Sequence, residues 1–285
     1  MDNAHLKLIL ALLFVAATAQ ATLTVTDRGT DTVNTSSTTW VIGPTSTIAA
    51  GSMGVLCLSF DNAGSAGSTK ILSNATINDS VGNVWTRRLD FIYDPGAANA
   101  GVEVGVYTGA ITTQMTSSDT ITVTFSTATV AKTATWSEIS ASVGVETYIT
   151  GAAKCDGCTS GQTSGTPQIT TASLTVGDAT ICFMGGESTA AVTGDSDTTN
   201  GNWSTQQTDS SAGTNRIASQ AKVQTTTGST QSYDVTLTSC DWQTAYIQVR
   251  EVTTSIKTVM DLANASVKTV SDLARASVKT IMDLP

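Results

Sequence analysis

Histidine is the rarest residue type in this sequence. Its 285 residues include one, His5, close to the first residue. His5 lies in a segment that resembles a secretory leader, and a mature protein without histidine cannot form a Ser-His-Asp or Cys-His nucleophile system, an H-E-x-x-H zinc site or a His-ligated iron centre. We therefore predict that the protein is not an enzyme of these classes, and more generally that it is not an enzyme.

Charged residues and long apolar runs are also few. Only 13% of the residues are charged, and the net charge is −9. No basic run is present that could displace counterions from phosphates, so we expect no nucleic-acid partner. Beyond the first residues, no run approaches the roughly 18 apolar residues that a membrane helix needs, so we expect no span in the mature chain.

The first residues, MDNAHLKLILALLFVAATAQATL, resemble a secretory leader. They combine Lys7, an apolar run over 8–17 and a small-x-small sequence that ends at Ala21. This pattern predicts a leader over 1–21 and a protein at the extracellular or virion surface. The alternative is an apolar first strand or helix that stays on the chain and packs into a neighbouring subunit.

What the sequence has in abundance is Thr, Ser and Gly between short apolar runs. In TITVTF, Ile121, Val123 and Phe125 face one side and the intervening threonines face the other, which is typical of a strand with one buried face. Turn-forming clusters such as DNAGSAGST and DPGAANAG separate such runs, and no amphipathic helix interrupts them. We predict an all-β, antiparallel sandwich over 22–252.

Within this region the order of segments DSVGNVWTRR, VEVGVYTGAITTQMTSSDTITVTFS, TATWSEIS and GTPQITTASLTVGDATICFMGG resembles a class of jelly-roll-like sandwich domains. These domains occur in phage structural proteins and in secreted bacterial surface proteins. The resemblance implies a structural or adhesive jelly-roll-like sandwich and transfers no catalytic motif.

The last segment, 253–285, repeats one 11-residue unit three times in SIKTVMDLANASVKTVSDLARASVKTIMDLP. An 11-residue period matches about 3.67 residues per turn, which favours a helix in a slightly right-handed bundle with other subunits. Alternatively, SIKTV and its copies are short strands of a small β-solenoid or an intertwined stalk. Both forms have an apolar face that needs neighbours. The predicted assembly positions are Ile256, Val259, Leu262, Val267, Val270, Leu273, Val278, Ile281 and Leu284.

These units also resemble the IKT…LA.AS repeats at the ends of many phage structural proteins. There the two residues before the leucine are usually Asn-Gly, a hairpin signal, whereas here they are Met-Asp or Ser-Asp. The choice between helix and strand therefore stays open. We predict an oligomerisation or attachment tail, with a disordered tail as the alternative.

Five cysteines are present. Cys57 and Cys182 lie in apolar runs and are expected to be small buried hydrophobic residues. Cys155 and Cys158 form a C-x-x-C with no second pair beside it, so we predict a local disulfide that fixes a loop rather than a metal site. The odd number leaves at least one thiol free or paired between molecules.

Enzymatic chemistry remains conceivable only as a glycoside hydrolase that uses two carboxylates. Asp90, Glu103, Glu138 and Glu146 lie in or beside candidate strands, and nothing in the sequence pairs any two of them. Their alternative role is to solubilise an exposed strand face.

Two features of one loop suggest binding. In TGDSDTTNGN, Asp195, Asp197 and Asn200 supply hard oxygen ligands that suit calcium, the only cofactor we consider, although the spacing is not that of an EF-hand. An ordinary turn has the same composition. Trp203, directly after this loop, is the tryptophan expected to be most exposed and is the candidate glycan contact. Trp85, Trp136 and Trp242 are expected in the core.

Taken together, these patterns favour a non-enzymatic virion appendage or decoration protein of a phage, which assembles with itself or with other virion proteins. The alternative is a secreted bacterial surface or adhesion protein of the same fold that binds a cell-surface glycan. A carboxylate glycosidase is a minor third hypothesis.

Overall fold

The computed structural model describes residues 22–61, 70–96, 100–142, 145–156, 158–211 and 214–252. The predicted leader over 1–21 and the repeat tail over 253–285, with all its assembly positions, lie outside these residues. Nothing in the structure therefore bears on either of them.

The described residues form strands and a single 3-10 turn, Leu72–Asn74. The first eight strands are β1 Leu23–Val33, β2 Ser37–Ile42, β3 Met53–Asp61, β4 Thr76–Asp79, β5 Val84–Tyr93, β6 Val102–Ala110, β7 Ile121–Thr129 and β8 Lys132–Ala141. The other eight are β9 Val145–Ala153, β10 Thr163–Ser164, β11 Gln168–Thr170, β12 Ala179–Gly186, β13 Gln207–Ser211, β14 Asn215–Val223, β15 Ser232–Asp234 and β16 Cys240–Val252.

These strands pair antiparallel in four sheets. A five-stranded sheet has the order β1-β8-β3-β6-β5, and a six-stranded sheet has the order β10-β16-β12-β14-β13, with β9 also paired to β16. A three-stranded sheet, β2-β7-β4, and a two-stranded sheet, β11-β15, complete the set. The prediction of an all-β antiparallel sandwich is confirmed.

The five-stranded sheet lies in the middle of the sandwich, and its inner strands β8, β3 and β6 are buried on both faces. Val55 and Cys57 of β3 pack with Ile181 and Phe183 of the six-stranded sheet. The intervening β3 residues pack in a second core with the three-stranded sheet. This explains why β3 is buried at every position, since successive side chains of a strand point to opposite faces.

The three-stranded sheet shows the alternation that the sequence predicts. In β7, Ile121, Val123 and Phe125 are buried in the second core, and Thr124 between them is exposed. The sheet therefore covers the middle sheet with one apolar face and presents hydroxyls on its other face.

A third apolar cluster lies on the outer face of the six-stranded sheet, with Cys182, Met184 and Tyr246 packed beneath Ile169 of β11 and Tyr233 of β15. Cys57 and Cys182 are thus both buried, in different clusters, as the sequence predicts. Among the described residues no helix has the length and apolar character needed to cross a membrane.

Candidate functional site

An open groove of about 810 Å³ lies where the ends of β3, β5 and β6 face β9. The strand register explains its wall: Thr86 of β5 is opposite Thr108 of β6, and Val84 is opposite Ala110, so these side chains share one face. Glu146 and Tyr148 of β9 line the other side. We call this feature the Arg88 groove, after the cation that lines it.

A bulge in β5 places that cation. The register of β5 with β6 shifts between Arg87 and Leu89, which pair with Tyr107 and Val106, and Arg88 is left without a residue opposite it. A bulge of this kind redirects one side chain of a strand. Here it brings Arg88 to the groove, beside Thr108.

Arg88 is held by two contacts. Its Nε donates a hydrogen bond of 2.7 Å to Thr108 Oγ1, and its guanidinium carbon lies 4.5 Å from the centre of the Tyr148 ring. Within the described residues no carboxylate pairs with Arg88, and its two terminal nitrogens donate no hydrogen bond to them. The groove therefore presents an oriented, uncompensated positive charge with free donors.

The rest of the lining is mixed. Hydroxyl groups come from Ser52, Thr86, Thr112 and Thr147. The acidic member is Glu146, whose Oε1 accepts a hydrogen bond from the backbone N–H of Ala141. Burial raises the pKa of the Glu146 carboxyl. The groove therefore offers one cation, several hydroxyl oxygens and one carboxyl group to a polar ligand.

The opposite face of the same two strands contains a pair of carboxyl groups. Glu103 of β6 is 1% exposed, and its two oxygens accept hydrogen bonds from the backbone N–H groups of Ile71 (2.6 Å) and Leu72 (2.8 Å). Asp90 of β5 lies diagonally across from it, because Asp90 is opposite Gly105 and Ile92 is opposite Glu103.

The Glu103 carboxyl keeps its proton at neutral pH. Burial, together with the neighbouring Asp90, raises the pKa of Glu103 to about 8. Asp90 Oδ1 is also buried and has no hydrogen-bond partner in the described structure. Of the four carboxylates considered for a glycosidase, these two are brought together, but in the interior and away from the groove.

Arg87, whose side chain is 38% exposed, lies at the rim of this cluster. Its Nη1 donates to the carbonyl of Leu72 (2.5 Å) and lies 3.4 Å from Asp90 Oδ2. Tyr107, the β6 residue opposite Arg87, has a buried hydroxyl with no hydrogen-bond partner among the described residues. The same register shift thus separates two consecutive arginines, one on the buried face of β5 and one at the groove.

The other two carboxylates have different hydrogen-bond partners, although burial and the charge of Glu138 both raise the pKa of Glu146. Glu138 is 4% exposed and is paired with Arg28, whose Nε donates to Glu138 Oε2 at 2.7 Å. It also accepts the backbone N–H of Ala49. Glu146 lines the Arg88 groove.

The residues considered for calcium already have contacts within their own loop and with neighbouring strands. The Asp195 carboxylate accepts the backbone N–H groups of Asp197 (2.7 Å) and Asp234 (2.9 Å). Asp197 Oδ2 lies 3.3 Å from the ammonium of Lys222, and Asn200 adopts a positive φ of 62°. Among the described residues no group of three or more His, Cys, Asp or Glu side chains is placed to hold a metal ion. Calcium binding here stays a prediction that the geometry does not support.

Trp203 is half-buried rather than exposed, which corrects the expectation from the sequence. Its backbone bridges to Lys222 of β14, so the loop lies across the outer face of the six-stranded sheet. The Trp203 ring is 5.2 Å from the Tyr233 ring, and the Lys222 ammonium is 4.9 Å above it. The side chain therefore packs against the outer apolar cluster, and its use as a glycan contact stays an untested prediction.

Of the three tryptophans expected in the core, Trp136 and Trp242 are buried. Trp85 is half-buried and packs against the core beneath the three-stranded sheet, with its Nε1 donating to Asp79 Oδ2 at 2.9 Å.

Cys155 and Cys158 form a disulfide in the segment after β9. Gln243 Nε2 donates to the carbonyl of Cys155 at 2.8 Å, which attaches this segment to β16. Cys57, Cys182 and Cys240 are free.

Arg88 and Tyr148 are the residues that the sequence analysis missed. The sequence WTRRLD shows two arginines in a strand, but only the bulge decides which one reaches the groove. Tyr148 lies in a separate strand, and no local signal predicts that its ring stacks on a guanidinium.

No protein-family model matches the chain, and no curated protein matches it. Functional inference therefore rests on the residues and geometry of this chain.

Proposed function

We propose that this protein is a non-enzymatic structural surface protein, specifically a phage virion appendage or decoration protein that assembles through its C-terminal repeats. The observation that carries the proposal is the three-fold 11-residue repeat over 253–285, attached to an all-β sandwich. Apolar residues recur at equivalent positions, as in Ile256, Val267 and Val278. A face of this size cannot bury itself, so it needs copies of itself or a partner surface.

The body of the protein supports this proposal through the way it uses its buried charges. Lys132, which is fully buried, donates to the carbonyls of Thr35 and Thr129. Glu138 pairs with Arg28, and Glu103 binds two backbone N–H groups. These groups tie loops and strands together, as a rigid structural body requires.

A second candidate function is adhesion to a glycan by a secreted protein of the same fold. The observation that favours it is the Arg88 groove, which presents an unpaired guanidinium, a tyrosine ring and several hydroxyls at one edge of the sandwich.

The assembly proposal is tested by the solution mass of the chain from Thr22, measured by light scattering. In the test variant Leu262, Leu273 and Leu284 are all replaced by Gln, which keeps the length of the tail and removes one apolar position per repeat. The matched control replaces Lys257, Lys268 and Lys279 by Gln, which keeps the apolar face.

We expect the parent and the lysine control to be oligomers and the leucine variant to be a monomer. A parent chain that is monomeric at all concentrations, or a leucine variant with an unchanged mass, would contradict assembly through the repeats.

A further inference from the structure

We propose that the Arg88 groove is a binding site for an acidic saccharide, in which the Arg88 guanidinium pairs with the carboxylate of a uronic acid residue. The proposal concerns the sandwich alone and does not depend on assembly through the repeats.

The first argument is the state of Arg88. The chain has 23 acidic residues and 14 basic ones, so acidic partners are plentiful. Arg88 nevertheless pairs with none of those described, whereas three other arginines each pair with a carboxylate. They are Arg28 with Glu138, Arg87 with Asp90 and Arg250 with Asp178.

The second argument is that Arg88 is oriented in advance. The hydrogen bond to Thr108 fixes one edge of the guanidinium, and the Tyr148 ring supports its plane. The two terminal nitrogens are left free in the fork geometry that binds a carboxylate through two parallel hydrogen bonds. Because the side chain is already held, less conformational entropy is lost when a ligand binds.

The third argument is the lining around Arg88. Thr86 and Thr147 line the groove with hydroxyls, which both donate and accept as sugar hydroxyls do. The hydroxyls of Ser52 and Thr112 donate within the protein, to the Ala49 carbonyl and to Asn83 Oδ1, and are left as acceptors. Val84, an exposed apolar residue on the same wall, can pack against the C–H face of a sugar ring. The volume of about 810 Å³ lies in the range of roughly 300 to 1,000 Å³ that is usual for small-ligand sites.

An acidic saccharide fits this combination better than an acidic peptide. Peptide recognition usually depends on large side chains buried in enclosed apolar pockets, whereas this groove is open and combines one fixed cation with hydroxyl groups, small apolar residues and the Glu146 carboxyl. We therefore assign it to a uronic acid residue, and an acidic peptide becomes an alternative outcome of the experiment.

The test is isothermal titration calorimetry of the full chain from Thr22 with oligogalacturonate. The probe controls are its methyl ester, which keeps the sugar rings and removes the charge, and an oligoglutamate peptide of similar charge. The protein variants are Arg88→Gln, Arg88→Lys and Lys154→Gln, the last of which removes one positive charge from an exposed position outside the groove lining. Circular dichroism checks that each variant is folded.

We expect oligogalacturonate to bind, and the ester and the peptide to bind at least tenfold more weakly. Arg88→Gln weakens oligogalacturonate binding at least tenfold, Arg88→Lys weakens it less, and Lys154→Gln leaves it unchanged.

Three outcomes would overturn the proposal. They are the absence of oligogalacturonate binding, equal binding of the acid and its ester, and binding that does not change in folded Arg88→Gln. Equal binding of oligoglutamate through Arg88 would also overturn it, and would assign the groove to an acidic peptide segment instead.

Discussion

Arg87 and Arg88 are neighbours in one strand, and they show how differently the two faces of β5 use the same side chain. Arg87 is 38% exposed and lies at the rim of a buried cluster, next to Asp90 and to Glu103, whose pKa is raised to about 8 mainly by burial. Arg88 lies at an open groove and is held only by a threonine hydroxyl and a tyrosine ring. One face has its charges compensated inside the protein, and the other leaves a charge available. The difference predicts that one face determines stability and the other determines binding.

The largest expected effect is from removal of the Glu103 side chain. Glu103→Ala leaves the N–H groups of Ile71 and Leu72 without their partner and opens a cavity in the interior. Since each unsatisfied buried group costs about 1–3 kcal/mol, we expect a loss of about 3–5 kcal/mol in the free energy of unfolding. Urea denaturation measures it, with Arg88→Ala as the control on the other face, for which the loss stays below about 1 kcal/mol.

A loss in Glu103→Ala no larger than in Arg88→Ala would show that the buried cluster contributes little to stability. The two faces of β5 would then not differ in how much they contribute to the free energy of unfolding.

The next effect is the dependence of stability on pH. The pKa of Glu103 is raised from 4.5 to about 8, mainly by burial. Between these pH values the unfolded chain releases this proton and the folded chain keeps it, so the stability present below pH 4.5 is lost as pH rises towards 8. One proton gives a slope of about 1.4 kcal/mol per pH unit. The pKa of Glu187, raised by burial to about 7, contributes in the same direction.

Glu103→Gln removes one of these two titrating groups. We expect the loss of stability between pH 5 and 8, measured by urea unfolding at each pH, to become clearly shallower. The variant is also less stable at pH 5 by about 1 kcal/mol, because the amide nitrogen cannot accept the backbone N–H that a carboxyl oxygen accepts. Arg88→Gln should keep the parent slope, and a parent slope retained in Glu103→Gln would show that Glu103 is not the proton held by the folded state.

A smaller effect separates the two arginines directly. Arg87→Gln removes the hydrogen bond to the Leu72 carbonyl and the cation next to Asp90, so we expect a loss of about 1–2 kcal/mol in the free energy of unfolding. Arg88→Gln removes one partly exposed hydrogen bond and should cost less than about 1 kcal/mol. Equal losses in parallel urea titrations would mean that the bulge does not divide their roles as described.

The sequence predicts the strands better than it predicts what covers them. The alternation in β7 identifies its buried face correctly, and the continuous apolar run of β3 signals burial on both sides. By contrast, Glu103 in VEVGVYTG alternates with valines, a pattern that places it on a solvent face. In the structure the segment before β4 and the 3-10 turn cover that face. Packing between segments distant in sequence is not encoded in a local pattern.

The same limit explains why the sequence does not predict the candidate site. The groove combines residues from four strands and depends on a bulge within a run of two arginines, which hydrophobic periodicity does not reveal. The Trp203 loop is polar enough to predict exposure, yet its backbone bridge to Lys222 fixes the ring against the outer apolar cluster. In both places a long-range contact overrides the local signal.

The smallest expected effect concerns Tyr107, on the buried face opposite Arg87. Its hydroxyl is buried and has no hydrogen-bond partner among the described residues, and burial raises its pKa to about 12. Tyr107→Phe removes a polar atom that lost its hydration on folding and gained no partner, while the ring continues to fill the core. We expect the free energy of unfolding to stay unchanged or to rise by up to about 1 kcal/mol. A loss of more than about 1 kcal/mol in urea titration would mean that the hydroxyl bonds to the carboxyl pair. The Glu103 proton would then belong to a network that includes the Tyr107 hydroxyl, and the dependence of stability on pH in Tyr107→Phe should differ from that of the parent.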